Sequence, residues 1–119
     1  MVVFDDSTPI YLQIAEQIRT AILDGSLPEG DQVMSTTQYA TTYRINPATA
    51  AKGLNTLVDE RLIEKRRGLG MFVLDGARES LLEARRATFF EEALAPVIAE
   101  AQALGFTKQQ IISHIEETS

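Results

Sequence analysis

The stretch from Ser35 to Val73, STTQYATTYRINPATAAKGLNTLVDERLIEKRRGLGMFV, constrains this chain more than any other. It holds two helix starts in close succession. Ser35 suits an N-cap, and Gln38 stands three residues later, as in a capping box. Asn46 is a second strong cap, and Pro47 has its φ pre-set for a first helical position. The pattern predicts a short helix over about 36–43, a turn at Arg44 and Ile45, and a further helix from Pro47 to about Arg61. Tyr39, Ala40 and Tyr43 can face a core, while Thr36, Thr37 and Gln38 can face out.

In the Pro47 helix, Ala50, Leu54, Leu57 and Val58 fall on one side, which makes a buried stripe. Ala48, Thr49, Lys52, Asn55 and Thr56 lie opposite. Small residues at the start of this helix allow close approach to a groove. Unpaired N–H groups in its first turn are expected to hold a phosphate. Two strands follow, Leu62 to Arg66 and Met71 to Leu74, with Arg67-Gly68-Leu69-Gly70 between them. The glycines permit a tight turn. Two helices and a basic hairpin in this order make a winged helix-turn-helix, whose partner is double-stranded DNA.

The residues before this stretch read as support. Residues 1–8 form a loose lead-in, Thr8 caps a first helix, and Pro9 takes its first position. Ile10, Ile14, Ile18 and Ile22 then recur at steps of four as a core stripe, and Gly25 stops the helix. Pro28, Gly30 and Asp31 mark Ser26 to Val33 as a loop.

The residues after it read as a pairing device. Residues 78–104 carry a helical pattern whose broad apolar side includes Leu82, Phe89, Phe90, Leu94, Val97 and Ile98. Such a helix outruns a small domain, so much of that side would stay wet in a monomer. Pro96 is expected to kink or break it. After Gly105, Thr107 and Gln110 open a last helix with Ile111, Ile112 and Ile115 on its apolar side. The expected interface of a homodimer is Leu82, Phe89, Phe90, Leu94, Val97, Ile98, Ile111 and Ile115. The fold class is mainly α with a small β-hairpin. A winged helix-turn-helix over 1–75 precedes a two-helix dimerisation tail over 76–119.

The formal net charge of −6 argues at first against nucleic acid. Its distribution reverses that. Between residues 44 and 67 stand six basic residues (Arg44, Lys52, Arg61, Lys65, Arg66 and Arg67) against three acids, a local excess of three positive charges. The chain has no cysteine, no apolar run of membrane-spanning length and no basic secretory leader, so a cytoplasmic location is expected. Its single histidine, His114, has no partners for a metal site. Gly68-Leu69-Gly70 lacks the third glycine and following helix of a dinucleotide loop. No serine or aspartate has a triad partner. Neither an enzyme nor a cofactor or metal is expected.

These residues resemble the GntR family of bacterial transcription regulators. PIYLQIAEQIRTAILDGSLPEGDQV is similar to that family's first helix and loop, and LIEKRRGLGMFV to its wing. The Asn46-Pro47-Ala48-Thr49 helix start and a tail of only about 45 residues resemble the YtrA subfamily. The resemblance implies DNA contacts at Ser35, Thr36 and Thr37, at Asn46, Ala48, Thr49 and Lys52, and at Arg67 and Gly68. Arg44 and Arg66 join them as flanking cations. Many members have arginine where this chain has Thr37, which cannot make a bidentate guanine contact. The resemblance also implies a homodimeric repressor on a palindromic operator, with transporter genes as the associated operon. Two alternatives stay open: a winged-helix protein–protein module, and a sensor binding a small-molecule effector between protomers.

Overall fold

Helix α1, Ile10–Asp24, opens the N-terminal unit and turns one side into its core. The computed structural model describes residues 4–118. Ile14, Ile18 and Ile22 are buried with Ala15, but Ile10 is 36% exposed and leaves the expected stripe one turn short. The helix also begins one residue later than expected. Pro9 is extended (φ −54°, ψ 140°) and sits at the cap without a side-chain hydrogen bond. Thr8 contributes its carbonyl, not its hydroxyl: Gln13 Nε2 donates to it at 2.8 Å. The same Gln13 amide pairs with the N–H and carbonyl of Asp5. Phe4 stacks edge-on against Tyr43, with ring centroids 5.9 Å apart. Residues 4–8 are therefore pinned, where the sequence suggested a loose lead-in; residues 1–3 of that lead-in lie outside the described residues. Gly25 closes α1 in the left-handed conformation at φ 84°, which costs glycine little.

The expected hairpin is the larger part of a three-stranded antiparallel sheet. Its order is β1 (Gln32–Val33), β3 (Gly70–Val73), β2 (Ile63–Arg66). The reading of Ser26 to Val33 as loop fails at its end, where Gln32 pairs with Phe72 and Val33 with Met71. Two residues are too few to show a period of two. What makes them a strand is the distant partner, helped by Gly30 N–H donating to the Val73 carbonyl and Val73 N–H to that of Asp31. Leu62 and Leu74 flank the wing strands and are not part of them.

Helices α2 (Thr36–Tyr43) and α3 (Pro47–Asp59) follow the sequence expectation closely, except at the end of α3. It stops at Asp59, short of Arg61. Arg61 turns left-handed at φ 60°, which costs a non-glycine residue about 1–2 kcal/mol. The turn lets Leu62 enter the core, where it is buried beside Leu57 and Ile63. Burial of a leucine is worth about 1.5–3 kcal/mol, enough to offset the strain.

The core is set by how closely α3 lies on α1. A Cβ placed at Gly53 would stand 3.0 Å from both Ile14 Cγ2 and the Tyr11 carbonyl oxygen. That is tighter than nearly all real Cβ contacts, so a side chain here would push α1 or α3 aside by a few tenths of an ångström. Arg19 of α1 then reaches the end of α3, where its guanidinium makes a two-pronged pair with Glu60 while also holding Glu16 at 3.1 Å. The hydrogen bond to Glu60 pushes the Arg19 pKa further up from its already high value.

The chain divides into two compact units, the first ending at Leu82 and the second beginning at Glu83. Helix α4, Ala77–Phe89, starts within the first unit. Ala77 is buried there, Leu81 packs against the core, and Arg78 Nε donates to the Leu23 carbonyl at 3.0 Å. Pro96 does not break the helix, one of the two outcomes expected of it; the disturbance it causes is a local change of helix type. Phe90–Leu94 form a π-helical turn, and α5 (Ala95–Ala103) continues from it. Ala95 N–H bonds the Phe90 carbonyl, five residues back. A wider turn just before Pro96 relieves the clash its ring would make with an α-helical i−4 carbonyl. Gly105 (φ 95°) ends this run, and Thr107 and Gln110 form the expected capping box for α6, Lys108–Thr118. Among the described residues no helix is long and apolar enough to cross a membrane.

Gly53→Val is expected to lower stability by about 1–3 kcal/mol, the usual cost of overpacking a filled crossing. Urea denaturation of the full chain measures it. An unchanged midpoint would mean that α1 and α3 separate freely at this point.

Candidate nucleic-acid interface

The helix-turn-helix is built by two caps that work differently. At α2 the Ser35 hydroxyl accepts from Gln38 N–H at 3.1 Å, and Gln38 Oε1 accepts from Ser35 N–H at 2.8 Å. Tyr39 N–H goes to the Ser35 carbonyl. This leaves the amides of Thr36 and Thr37 without an intrahelical acceptor, as at any helix start. Thr37 is exposed and Thr36 half-buried. The start of α2 can thus present two N–H donors and a hydroxyl to an anion.

At α3 the expectation of unpaired N–H groups is overturned. Pro47 has none to offer. Asn46 Oδ1 accepts from Ala48 N–H at 2.8 Å, and the Asn46 carbonyl accepts from Thr49 and Ala50 N–H. A phosphate at this end would have to displace the cap. What α3 presents instead is its side-chain surface: Asn46, Ala48, Lys52 and Asn55 are exposed, and Thr49 is half-buried. The Thr56 hydroxyl donates back to the Lys52 carbonyl at 2.8 Å, so it is turned onto its own helix. The Lys52 ammonium lies 4.1 Å from the centroid of the Tyr11 ring. Between the two helices Arg44 adopts the left-handed conformation (φ 53°), with its side chain exposed.

The wing carries its two arginines in different states. Arg66 Nε donates to Glu64 Oε1 at 2.8 Å, and its guanidinium rests 4.4 Å from the Phe72 ring centroid. Glu64 and Phe72 face each other in the strand register, and Arg66 follows Glu64 on the same face. Arg67 is exposed at the tip, beside Gly68 at φ 76°. Leu69 N–H closes the turn onto the Arg66 carbonyl at 2.9 Å. Gln32, from β1, braces it from outside by donating to the Leu69 carbonyl at 2.9 Å. A Cβ at Gly70 would collide with that Gln32 amide at 2.5 Å, so the brace needs a glycine beside it.

The first unit therefore gathers every candidate DNA-contacting residue named from the sequence: Ser35, Thr36, Thr37, Arg44, Asn46, Ala48, Thr49, Lys52, Arg66, Arg67 and Gly68. Sequence reasoning missed Tyr11, Gln32, Glu64 and Phe72. Glu64 was legible as a carboxylate two residues from Arg66 in a strand. A glycine within α3, next to Lys52, was a legible sign of close approach by another backbone.

The second unit holds most of the exposed large apolar side chains. Phe90 is 71% exposed, with Phe89, Val97 and Ile115 also exposed; Leu94, Ile98 and Ile111 are half-buried. Leu82, the remaining expected interface residue, is half-buried at the end of the first unit. Phe89 and Phe90 stack edge to face, with centroids 6.1 Å apart. A groove of about 490 Å³ runs between α5 and α6, lined mainly by Leu94, Val97, Ile98, Phe106, Ile111 and Ile115.

Residues 10–73 match the model of the bacterial regulatory proteins of the gntR family. The chain belongs to the GntR family. It is 34% identical to the HTH-type transcriptional repressor YtrA of Bacillus subtilis over 95% of this chain and 86% of that one. The similarity therefore runs through the short tail as well as the head. A GntR family regulator from Listeria monocytogenes superposes with a TM-score of 0.72 at 30% identity, covering 96% of this chain and 98% of its own. BusR of S. agalactiae, solved in complex with its busAB-promotor DNA, superposes with a TM-score of 0.58 at 25% identity, covering 93% of this chain and 53% of its own. This GntR-family chain is a DNA-binding transcription regulator, not an enzyme.

Glu64→Gln should free Arg66 and remove a negative charge from the wing. DNA affinity is expected to rise by up to about fivefold, the scale of one exposed ion pair. Fluorescence anisotropy with a labelled promoter duplex reads it. Weaker binding by the variant would mean that the pair holds Arg66 in its working position.

Proposed function

We propose that this chain is a cytoplasmic repressor that binds, as a homodimer, an operator of two-fold symmetry in double-stranded DNA. The observation that carries the reading is the surface of α3: exposed Asn46, Ala48, Lys52 and Asn55, flanked in sequence by the α2 start and the wing. The first turn of α3 is small and neutral, so it can approach base edges closely. Ala48 offers a methyl contact, and Asn46 keeps its Nδ2 donors while Oδ1 caps the helix. Phosphate contacts fall to Lys52, Arg44, Arg67 and the α2 start, which set register more than sequence.

One such head binds weakly, and pairing two multiplies the affinity. The dimerisation tail, proposed over 76–119, supplies the pairing through Phe89, Phe90, Leu94, Val97, Ile98, Ile111 and Ile115, with Leu82 at its start. Exposed aromatic and aliphatic side chains in this number are what an interface core requires. Half-sites would then stand about 34–36 Å apart, one turn of DNA. By its likeness to YtrA-type regulators, the regulated genes would encode a transporter.

The groove between α5 and α6 favours a second reading alongside the first. Its volume falls in the range of about 300–1,000 Å³ typical of small-ligand sites. An apolar effector bound there would act by favouring one dimer geometry over another.

The full chain should elute at twice the mass of one chain and shift a duplex from the promoter of its own gene. Phe90→Glu with Ile115→Glu should give a monomer that binds at least tenfold more weakly. Arg67→Ala should flatten the log–log salt dependence of affinity by roughly one unit per wing. A folded dimer that leaves promoter DNA unshifted even at low salt would sink the operator reading in favour of a protein–protein module. An Arg67→Ala variant with the wild-type salt slope would remove the wing from the interface.

A further inference from the structure

Lys52 is held in an unusual way among the cations of this unit. Arg19 is gripped by Glu60 and Glu16, and Arg66, though it also rests on the Phe72 ring, by Glu64. The Lys52 ammonium instead lies over the face of a neutral ring, 4.1 Å from the centroid of Tyr11. We propose that Tyr11, in the first turn of α1, is a positioning residue for DNA binding, its ring holding the Lys52 ammonium in place for a phosphate. The proposal rests on the DNA reading above and adds α1 to the interface.

Two features of the fold make the contact a built one. The Tyr11 carbonyl, with Ile14 Cγ2, lies only 3.0 Å from where a Cβ at Gly53 would stand, so the close crossing at Gly53 sets the first turn of α1 beneath the middle of α3. Lys52 immediately precedes that glycine, and its stem leaves α3 where Tyr11 stands. Lys52 is exposed, and Tyr11 is half-buried.

The kind of partner decides the consequence. A carboxylate partner cancels a cation's charge, and a phosphate must then compete with it. A π face attracts the ammonium through its quadrupole and carries no net charge. The ammonium has three donors, and none is spent on an acceptor over a ring face. Lys52 thus keeps its full charge for counterion release on DNA. The ring also narrows the rotamers of a long, flexible side chain before binding, so less freedom is lost when the phosphate arrives.

The test is a double-mutant cycle in the full chain, with Tyr11→Leu, Tyr11→Phe, Lys52→Gln and the Tyr11→Leu/Lys52→Gln pair. Affinity is read by anisotropy on the promoter duplex and on a mixed-sequence duplex of equal length, across a salt series, with thermal midpoints as a folding control. Lys52→Gln should flatten the salt slope by roughly one unit per head. Tyr11→Leu should weaken binding roughly two- to fivefold on both duplexes, the scale of one exposed cation–π contact. Tyr11→Phe should restore wild-type affinity, because the ring face is kept. Adding Tyr11→Leu to Lys52→Gln should cost nothing further. Equal losses from Tyr11→Leu in both backgrounds would overturn the proposal, since Tyr11 would then act without Lys52. Unchanged or tighter binding by Tyr11→Leu would overturn it too, the ring being idle or a competitor of the phosphate. Failure of the wild-type dimer to bind either duplex would count against the DNA reading itself. Should Tyr11→Leu unfold, the wild-type protein supplies the answer by NMR. The Lys52 ε-methylene protons should show an upfield ring-current shift that persists on the promoter duplex, and its absence in the free protein would refute the contact.

Discussion

The crossing of α3 over α1 at Gly53 is the contact on which the rest of the head depends. It brings the α3 backbone within reach of Ile14 and the Tyr11 carbonyl, closer than a side chain at this position would sit comfortably. That approach buries Ala50, Leu54 and Leu57 against Ile14, Ile18 and Ile22 in one core. It also sets the angle from which the other side of α3 is displayed. Arg19 and Glu60 tie the far end of the same helix pair. Residues on the exposed side of α3 are thus placed from behind.

Electrostatically the head is arranged by commitment more than by quantity of charge. Some cations are already paired: Arg19 with two glutamates, Arg66 with Glu64 and Phe72. Others, Arg44 and Arg67, are exposed on backbone turns. Donors are likewise divided. The α3 amides are consumed by Asn46, whereas α2 keeps the amides of Thr36 and Thr37. Where a motif-level view treats both helix starts as anion sites, only α2 retains that capacity.

Much of this was legible in the sequence wherever the cause is local. Ser35 with Gln38, Asn46 with Pro47, and Thr107 with Gln110 announced three helix starts, and all three caps form. The apolar stripes of α1 and α3 were legible by periodicity, apart from Ile10, which the stripe includes and the packing leaves out. The illegible parts depend on remote partners. β1 is two residues of ordinary composition until β3 lies beside it. The π-helical turn was hidden because Pro96 announces a disturbance without saying whether the chain breaks or widens. Arg61 turns left-handed because Leu62 has a core to enter, and that core is assembled from α1, α3 and the sheet.

By itself the sequence determined the order of the main helices and the wing hairpin, the caps at Ser35, Asn46 and Thr107, and the family. Those features follow from hydrogen bonds and side-chain periods within a few residues. Only the tertiary structure decided which candidate groups remain available. Asn46 spends its Oδ1 on its own helix, Glu64 takes Arg66, and Tyr11 receives Lys52 from forty-one positions away in the chain. Availability depends on what lies across from a group in space, and for Lys52 that was set by a glycine beside it and a carbonyl on another helix.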